Sequence, residues 1–294
     1  MKKRRKKIST NDLILDIIIW LFLILFAIAC FYPMWYVFVA SITNSTELVK
    51  NPGIMLWPSK VDTGAYNLVF KNPLLMNSLK NSVVILILSL PLNIVMTMLC
   101  GYFMACPGMM FKKPIVALFM FTMFFGGGLI PGYLNIRSLG LYNSVWALVL
   151  PVALNMYNAI ICKTAIEAIP DSLRESAYLD GANDFHIIFK IILPLIKPTL
   201  AVLLLYYGVA HWNSWYSASI YIKENAKLPV QNILRSILIF NESVGGMDSS
   251  DNYNAYAETI RYAAIMITTV PILCVYPFLQ KYFAKGAMIG AVKG

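Results

Sequence analysis

From residue 81 to 111 the chain runs without a single Asp, Glu, Lys or Arg, and the same holds for 114–136, 138–162 and 262–280. Two further apolar runs, 13–42 and 191–222, are interrupted only by Asp16 and by Lys197 respectively. Each reaches or approaches the ~20 residues that a helix needs to cross hydrocarbon. The pattern therefore predicts an all-α integral membrane protein with six transmembrane helices. Polar sequence with turn residues separates the first two runs at 43–80 (Asn51, Pro52, Gly53, Pro58, Gly64) and the last two at 223–257, where "VGGMDSSDN" reads as a loop tip. Proline and glycine also fall inside or beside nearly every run: Pro33, Pro91, Gly101, Gly126, Gly127, Gly128, Pro131, Pro151, Pro198, Pro271 and Pro277. A bilayer tolerates such residues where neighbouring helices or a cavity satisfy the freed backbone, so each marks either a broken helix or a simple kink.

Composition agrees with the pattern. Hydrophobic residues make up 59% of the 294 positions and charged residues 13%, about half the roughly 25% charged share of a soluble domain. The first run is too long, and too poor in a small-residue cleavage site, for a removable signal peptide, although "MKKRRKK" imitates one. The chain thus divides into a basic cytoplasmic start at 1–12, a six-helix domain at 13–282 and a cytoplasmic tail at 283–294. Cationic residues orient the spans. The start, Lys112 and Lys113, the group Lys163, Arg174, Lys190 and Lys197, and the tail group Lys281, Lys285 and Lys293 together hold fifteen of the 24 Lys and Arg. All of these lie on one side if both termini are cytoplasmic. The net charge of +10 owes more than half to the basic start, which suits an anchor beside anionic membrane lipid rather than nucleic acid.

Several chemistries are absent from the sequence. It contains no Gly-Lys dipeptide and hence no phosphate-binding loop, no His-Glu-x-x-His and no Gly-x-Ser-x-Gly, and its two histidines are His186 and His211. No catalytic residue and no metal ligand is assigned. The five cysteines (Cys30, Cys100, Cys106, Cys162, Cys274) lie in or beside apolar runs without Cys-x-x-Cys spacing and read as packing residues. Asp, Glu, Lys and Arg within the runs are confined to Asp16 and Lys197, near expected cytoplasmic ends, which weakens a proton- or sodium-driven carrier.

The most polar passage lies between the fourth and fifth runs, within a loop at 166–194. "PDSLRE" places Ser172 three residues before Glu175, a capping-box spacing. Leu173, Ala177 and Tyr178 can share an apolar side, and Gly181 suits the left-handed position that ends a helix. A second helix start is expected at Asn183 or Asp184. The result is a short cytoplasmic helix placed to dock a soluble partner.

These residues carry a resemblance. Glu175, Ser176, Ala177, Gly181, Ile191, Leu193 and Pro194 match the Glu-Ala-Ala-x3-Gly-x9-Ile-x-Leu-Pro pattern of ABC-importer permeases, with Ser176 standing where the family usually has Ala. The likeness extends through "FYPMWYVFVASIT", "NSVV", "WN" (Trp212, Asn213), "LPV" and the tail "QKYFAKGAMIGAVKG". It is similar to the carbohydrate branch that contains the maltose system's smaller permease.

The resemblance implies a bacterial cytoplasmic-membrane subunit that is not itself an enzyme. It would translocate a sugar, with an oligosaccharide expected. It would pair with a homologous second permease and two ATPase subunits carrying ATP and Mg, fed by an extracytoplasmic sugar-binding protein. The polar helix would be the coupling helix, with Arg174, Glu175, Ser176, Ala177, Leu179, Asp180, Gly181, Ile191, Leu193 and Pro194 as its site residues. The tail would also reach the ATPase interface. Alternatives are a non-sugar cargo, or a self-sufficient channel or carrier.

Sugars present hydroxyls and apolar ring faces, so a path for them combines aromatic platforms with amide groups. The fourth run offers Asn155, Tyr157 and Asn158, and the fifth offers Tyr206, Tyr207, His211, Trp212, Asn213 and Trp215.

Overall fold

Apolar segments in hydrocarbon must satisfy their own backbone, which makes helices of them. The computed structural model describes residues 10–50, 53–239, 256, 258–275 and 277, and among these the regular structure is helical apart from one isolated bridge, Thr43 with Val61. The helices Leu13–Ser41, Pro73–Ala105 and Glu258–Val275 are each long and apolar enough to cross a membrane. Three more apolar runs are helix pairs, bent by 116° between Lys112–Phe124 and Leu129–Ser138, by 49° between Trp146–Val152 and Met156–Glu167, and by 88° between Asp184–Leu195 and Lys197–Asn213.

The breaks have local causes. After Phe124 the chain turns extended at Phe125, and Gly128 precedes the next helix with φ of 87°, a left-handed value that costs glycine nothing. Pro151 sits in the tight turn Leu150–Val152, and Pro198 lies in the first turn of Lys197–Asn213, where its missing N–H is harmless. Pro33, Pro91 and Pro271, by contrast, lie within helices that continue past them.

Two compact units divide the chain. The first comprises residues 1–71 and 246–267. In it the Asp62 carboxylate accepts from the Gly64 N–H at 2.8 Å, from Asn44 Nδ2 at 3.0 Å and from the Tyr256 hydroxyl at 3.1 Å. These donors, with the Gly64 amide foremost, hold it below its ordinary value against a smaller opposing effect of burial.

The second unit, 72–245 with 268–294, is organised around Pro73–Ala105. Asn72 caps this helix by accepting from the Leu75 N–H at 2.9 Å. Its buried face carries Ser78, Ser82, Ser89, Asn93, Thr97 and Gly101, a stripe of small and polar residues four or seven apart along one side. Small residues let helix backbones approach closely, and Met156–Glu167 packs most extensively here. A Cβ added at Gly101 would lie 3.0 Å from Cys162 Sγ and 3.2 Å from the Lys163 backbone nitrogen. Gly101→Leu should therefore lower the stability of the detergent-solubilised protein by about 1–3 kcal/mol. An unchanged melting temperature would show that this packing yields freely.

The N-terminal part of the same helix is stitched to a connector. Asn77 and Asn81 donate to the Ala226 carbonyl at 2.5 and 2.7 Å, and Asn81 also donates to the Leu228 carbonyl at 3.1 Å. The Val230 N–H donates to Ser82 Oγ at 2.9 Å.

Candidate functional site

The polar passage forms the helix Asp171–Leu179, but not by the expected start. Pro170, with φ of −56° and ψ of 132°, is the capping residue, and no side chain caps the helix. Ser172 already lies inside the helix, so the Ser172–Glu175 capping box is corrected. Proline's fixed φ sets the start instead.

The end is as expected. Gly181 has φ of 79°; its N–H donates to the Tyr178 carbonyl at 3.0 Å and the Ala182 N–H to the Ala177 carbonyl at 2.9 Å. This is the paired Schellman closure of a helix. Asn183 then caps the next segment, its side chain accepting from the His186 N–H at 2.8 Å. The wider-wound turn Ile187–Ile192 follows, with Leu193 and Pro194 opening the next short piece.

The helix presents two sides. Ala177 is buried with Ile187, Ile188 and Ile192 against Tyr102, Cys162 and Ile166. Glu175, Ser176, Leu179, Asp180 and Gly181 are exposed, and Leu179 keeps 88% of its surface. Ile191 and Leu193 are partly buried beside the same cluster. Leu173 and Tyr178 are largely exposed rather than packed with Ala177.

Arg174, named with the coupling residues, turns inward rather than outward to a partner. Its side chain is only 12% exposed, pairs with Asp171 and donates to Cys106 Sγ at 2.9 Å. Tyr102 and Tyr178 both donate to Asp184 Oδ1, at 2.6 and 2.5 Å, and their hydroxyls lie 3.1 Å apart. The bond to Asp184 leads the causes that raise the Tyr178 hydroxyl above its ordinary value.

A second polar cluster lies at the break in the fourth run. Asn93 Nδ2 donates to the carbonyls of Val152 and Ala153 at 2.8 and 3.0 Å, and Asn93 Oδ1 lies 2.9 Å from His211 Nε2. Because that oxygen can only accept, His211 carries a proton on Nε2. The Tyr207 hydroxyl accepts from the Asn155 N–H at 3.0 Å and lies 2.7 Å from Thr97 Oγ1. Asn155 also caps Met156–Glu167 through the Asn158 N–H.

Asn155, Tyr157, Tyr206 and Asn213 are exposed, whereas Asn158 and Trp212 are buried, the Trp212 indole donating to the Thr268 carbonyl at 3.2 Å. Trp215 is half-buried beneath the Arg235 guanidinium, 3.6 Å from the ring centroid. Sequence reasoning overlooked Asn93 and Thr97. The signal was one amide and one hydroxyl in the middle of a charge-free run, where polar groups are expensive.

An apolar run that breaks at a buried polar cluster, with a polar helix beyond it, suits a solute permease. The chain belongs to the family described as binding-protein-dependent transport system inner membrane component, which matches residues 81–288. It is 39% identical to the polygalacturonan/rhamnogalacturonan transport system permease protein YtcP of Bacillus subtilis (strain 168), over 95% of this chain and 98% of that one. It is 37% identical to Protein LplC of the same organism, over 89% of each chain. Among solved structures it matches a bacterial ABC transporter involved in import of the acidic polysaccharide alginate, with a TM-score of 0.86 and 28% identity, over 95% of this chain and 100% of that one.

Proposed function

We propose that this chain is one of two membrane-spanning subunits of an ATP-driven importer that takes up an oligosaccharide from an extracytoplasmic binding protein. In this reading it crosses the membrane six times, each bent pair counting as one span, with both termini in the cytoplasm. The observation that carries the reading is the Asp171–Leu179 helix, which is fastened from behind by Ala177 and Arg174 and leaves Glu175, Ser176, Leu179, Asp180 and Gly181 open to a partner. That partner is a cytoplasmic ATPase subunit. The chain has no phosphate-binding loop, so ATP and Mg belong to two such subunits, and a homologous second permease completes the passage. The role given to the tail at 283–294 falls outside the described residues. Affinity purification from native membranes tests the assignment: an ATPase should accompany the wild-type chain, and a chain that purifies alone and passes solute alone would replace the importer with a channel or carrier.

The cargo is an acidic oligosaccharide. Two of the proteins it resembles handle polymers that bear carboxylates, polygalacturonan and alginate. In this chain Arg235 lies over the Trp215 ring and, among the described residues, forms no ion pair with a carboxylate. Arginine meets carboxylates with two parallel hydrogen bonds, and the aromatic ring holds it in place. Arg235→Gln should weaken uptake of a uronate oligosaccharide about tenfold, the loss expected when a charge-assisted contact of ~1.5 kcal/mol disappears. Competition by a neutral oligosaccharide should not change. Equal loss for both sugars would remove Arg235 from substrate recognition.

A further inference from the structure

Among the described residues of the second unit, Pro73–Ala105 is the one long helix that runs unbroken through its apolar run, past Pro91, whereas the fourth and fifth runs bend at 49° and 88° breaks. At 33 residues it is about 50 Å long, which exceeds the hydrocarbon thickness. Side chains hold both of its ends. Asn77, Asn81 and Ser82 hold the connector at Ala226, Leu228 and Val230. At the other end Tyr102 reaches Asp184 and Tyr178, and Cys106 meets Arg174.

A broken helix can absorb displacement at its break, while an intact one moves as a body. The apolar contacts of Ala177, Ile187 and Ile192 are non-directional and permit sliding. Two hydroxyls converging on one carboxylate oxygen are directional and charge-assisted, and so resist it.

We propose that the Tyr102–Asp184–Tyr178 cluster is the fastening through which movement of the Asp171–Leu179 helix enters the Pro73–Ala105 helix and so reaches the connector at 226–230. Tyr102, Tyr178 and Asp184 are positioning residues and touch no substrate. The inference rests on reading Asp171–Leu179 as the ATPase-docking helix. The Tyr178 bond is present below the ordinary phenol pKa and is lost only as pH rises through its raised value.

The test uses the transporter purified with its co-purifying ATPase and reconstituted in liposomes with loaded binding protein outside. Tyr102→Phe combined with Tyr178→Phe removes both donors, and Asp184→Leu removes the acceptor. Both variants should retain the ATPase at wild-type stoichiometry, lose about tenfold in uptake, and hydrolyse ATP without responding to loaded binding protein. Asp184→Asn keeps an acceptor oxygen and should preserve most of the response. Normal uptake by the double Phe variant would overturn the proposal. Loss of the ATPase from that variant would also overturn it, because the cluster would then shape the docking surface rather than transmit from it. Failure of the docking reading itself has a separate signature, a wild-type chain that brings no ATPase with it.

Discussion

Gly181→Val is expected to reduce uptake by about tenfold or more while leaving the amount of protein in the membrane unchanged. The residue has φ of 79°, and a Cβ built on it meets nothing within 4 Å, so the cost comes from the backbone and not from a clash. A left-handed conformation costs an ordinary residue about 1–2 kcal/mol, and a β-branched residue is the poorest choice for it. If the chain at 181 relaxes, the hydrogen bonds from Gly181 and Ala182 to the Tyr178 and Ala177 carbonyls are lost together. The Asn183 cap then shifts relative to Glu175 and Asp180. The ATPase would meet a frayed surface, and its recovery with the tagged chain should fall in step with uptake. Gly181→Asn is the control, because asparagine tolerates the left-handed region, and it should retain most of the activity. Equal activity in the Val and Asn variants would show that the turn does not matter for docking.

Asn93→Leu is expected to have the largest effect on stability, about 2–4 kcal/mol by thermal denaturation in detergent. The side chain is fully buried, and its loss strands the Val152 and Ala153 carbonyls and His211 Nε2 at once. Each stranded group costs about 1–3 kcal/mol, partly offset by the added apolar side chain. His211→Ala should cost less, since both carbonyls then keep their donor. The order of the two variants is the sharper test, and a His211→Ala protein less stable than Asn93→Leu would reverse the assignment.

Much of this fold is readable from the sequence. Charge-free runs became helices, the Gly126, Gly127 and Gly128 triplet became a 116° bend, and Gly181 became the helix end with positive φ. These features depend on a few adjacent residues. The capping box failed although it too is local, because Pro170 fixes the helix start two residues ahead of the start that a Ser172 cap would have given. The polar clusters were not legible for a different reason. Asn93 and His211 are 118 residues apart, and Tyr102 and Asp184 are 82 apart. An isolated amide or tyrosine in an apolar run carries no mark of its partner. The same distance hid the inward turn of Arg174, whose neighbour Cys106 is 68 residues away, and the burial of Trp212 against the Thr268 carbonyl.

The Asp62 carboxylate, which takes donors from Gly64, Asn44 and Tyr256, sets how the chain meets its surroundings. In the proposed topology it lies on the extracytoplasmic side. Its pKa lies below the ordinary value, led by the Gly64 amide. The stabilisation it gives is therefore fully present above the ordinary carboxylate pKa and is lost only as pH falls through the lowered one. A medium soured enough to begin protonating ordinary carboxylates would still find this connector tied. On acidification the Asp62 tie to Gly64, Asn44 and Tyr256 therefore outlasts an ordinary carboxylate contact.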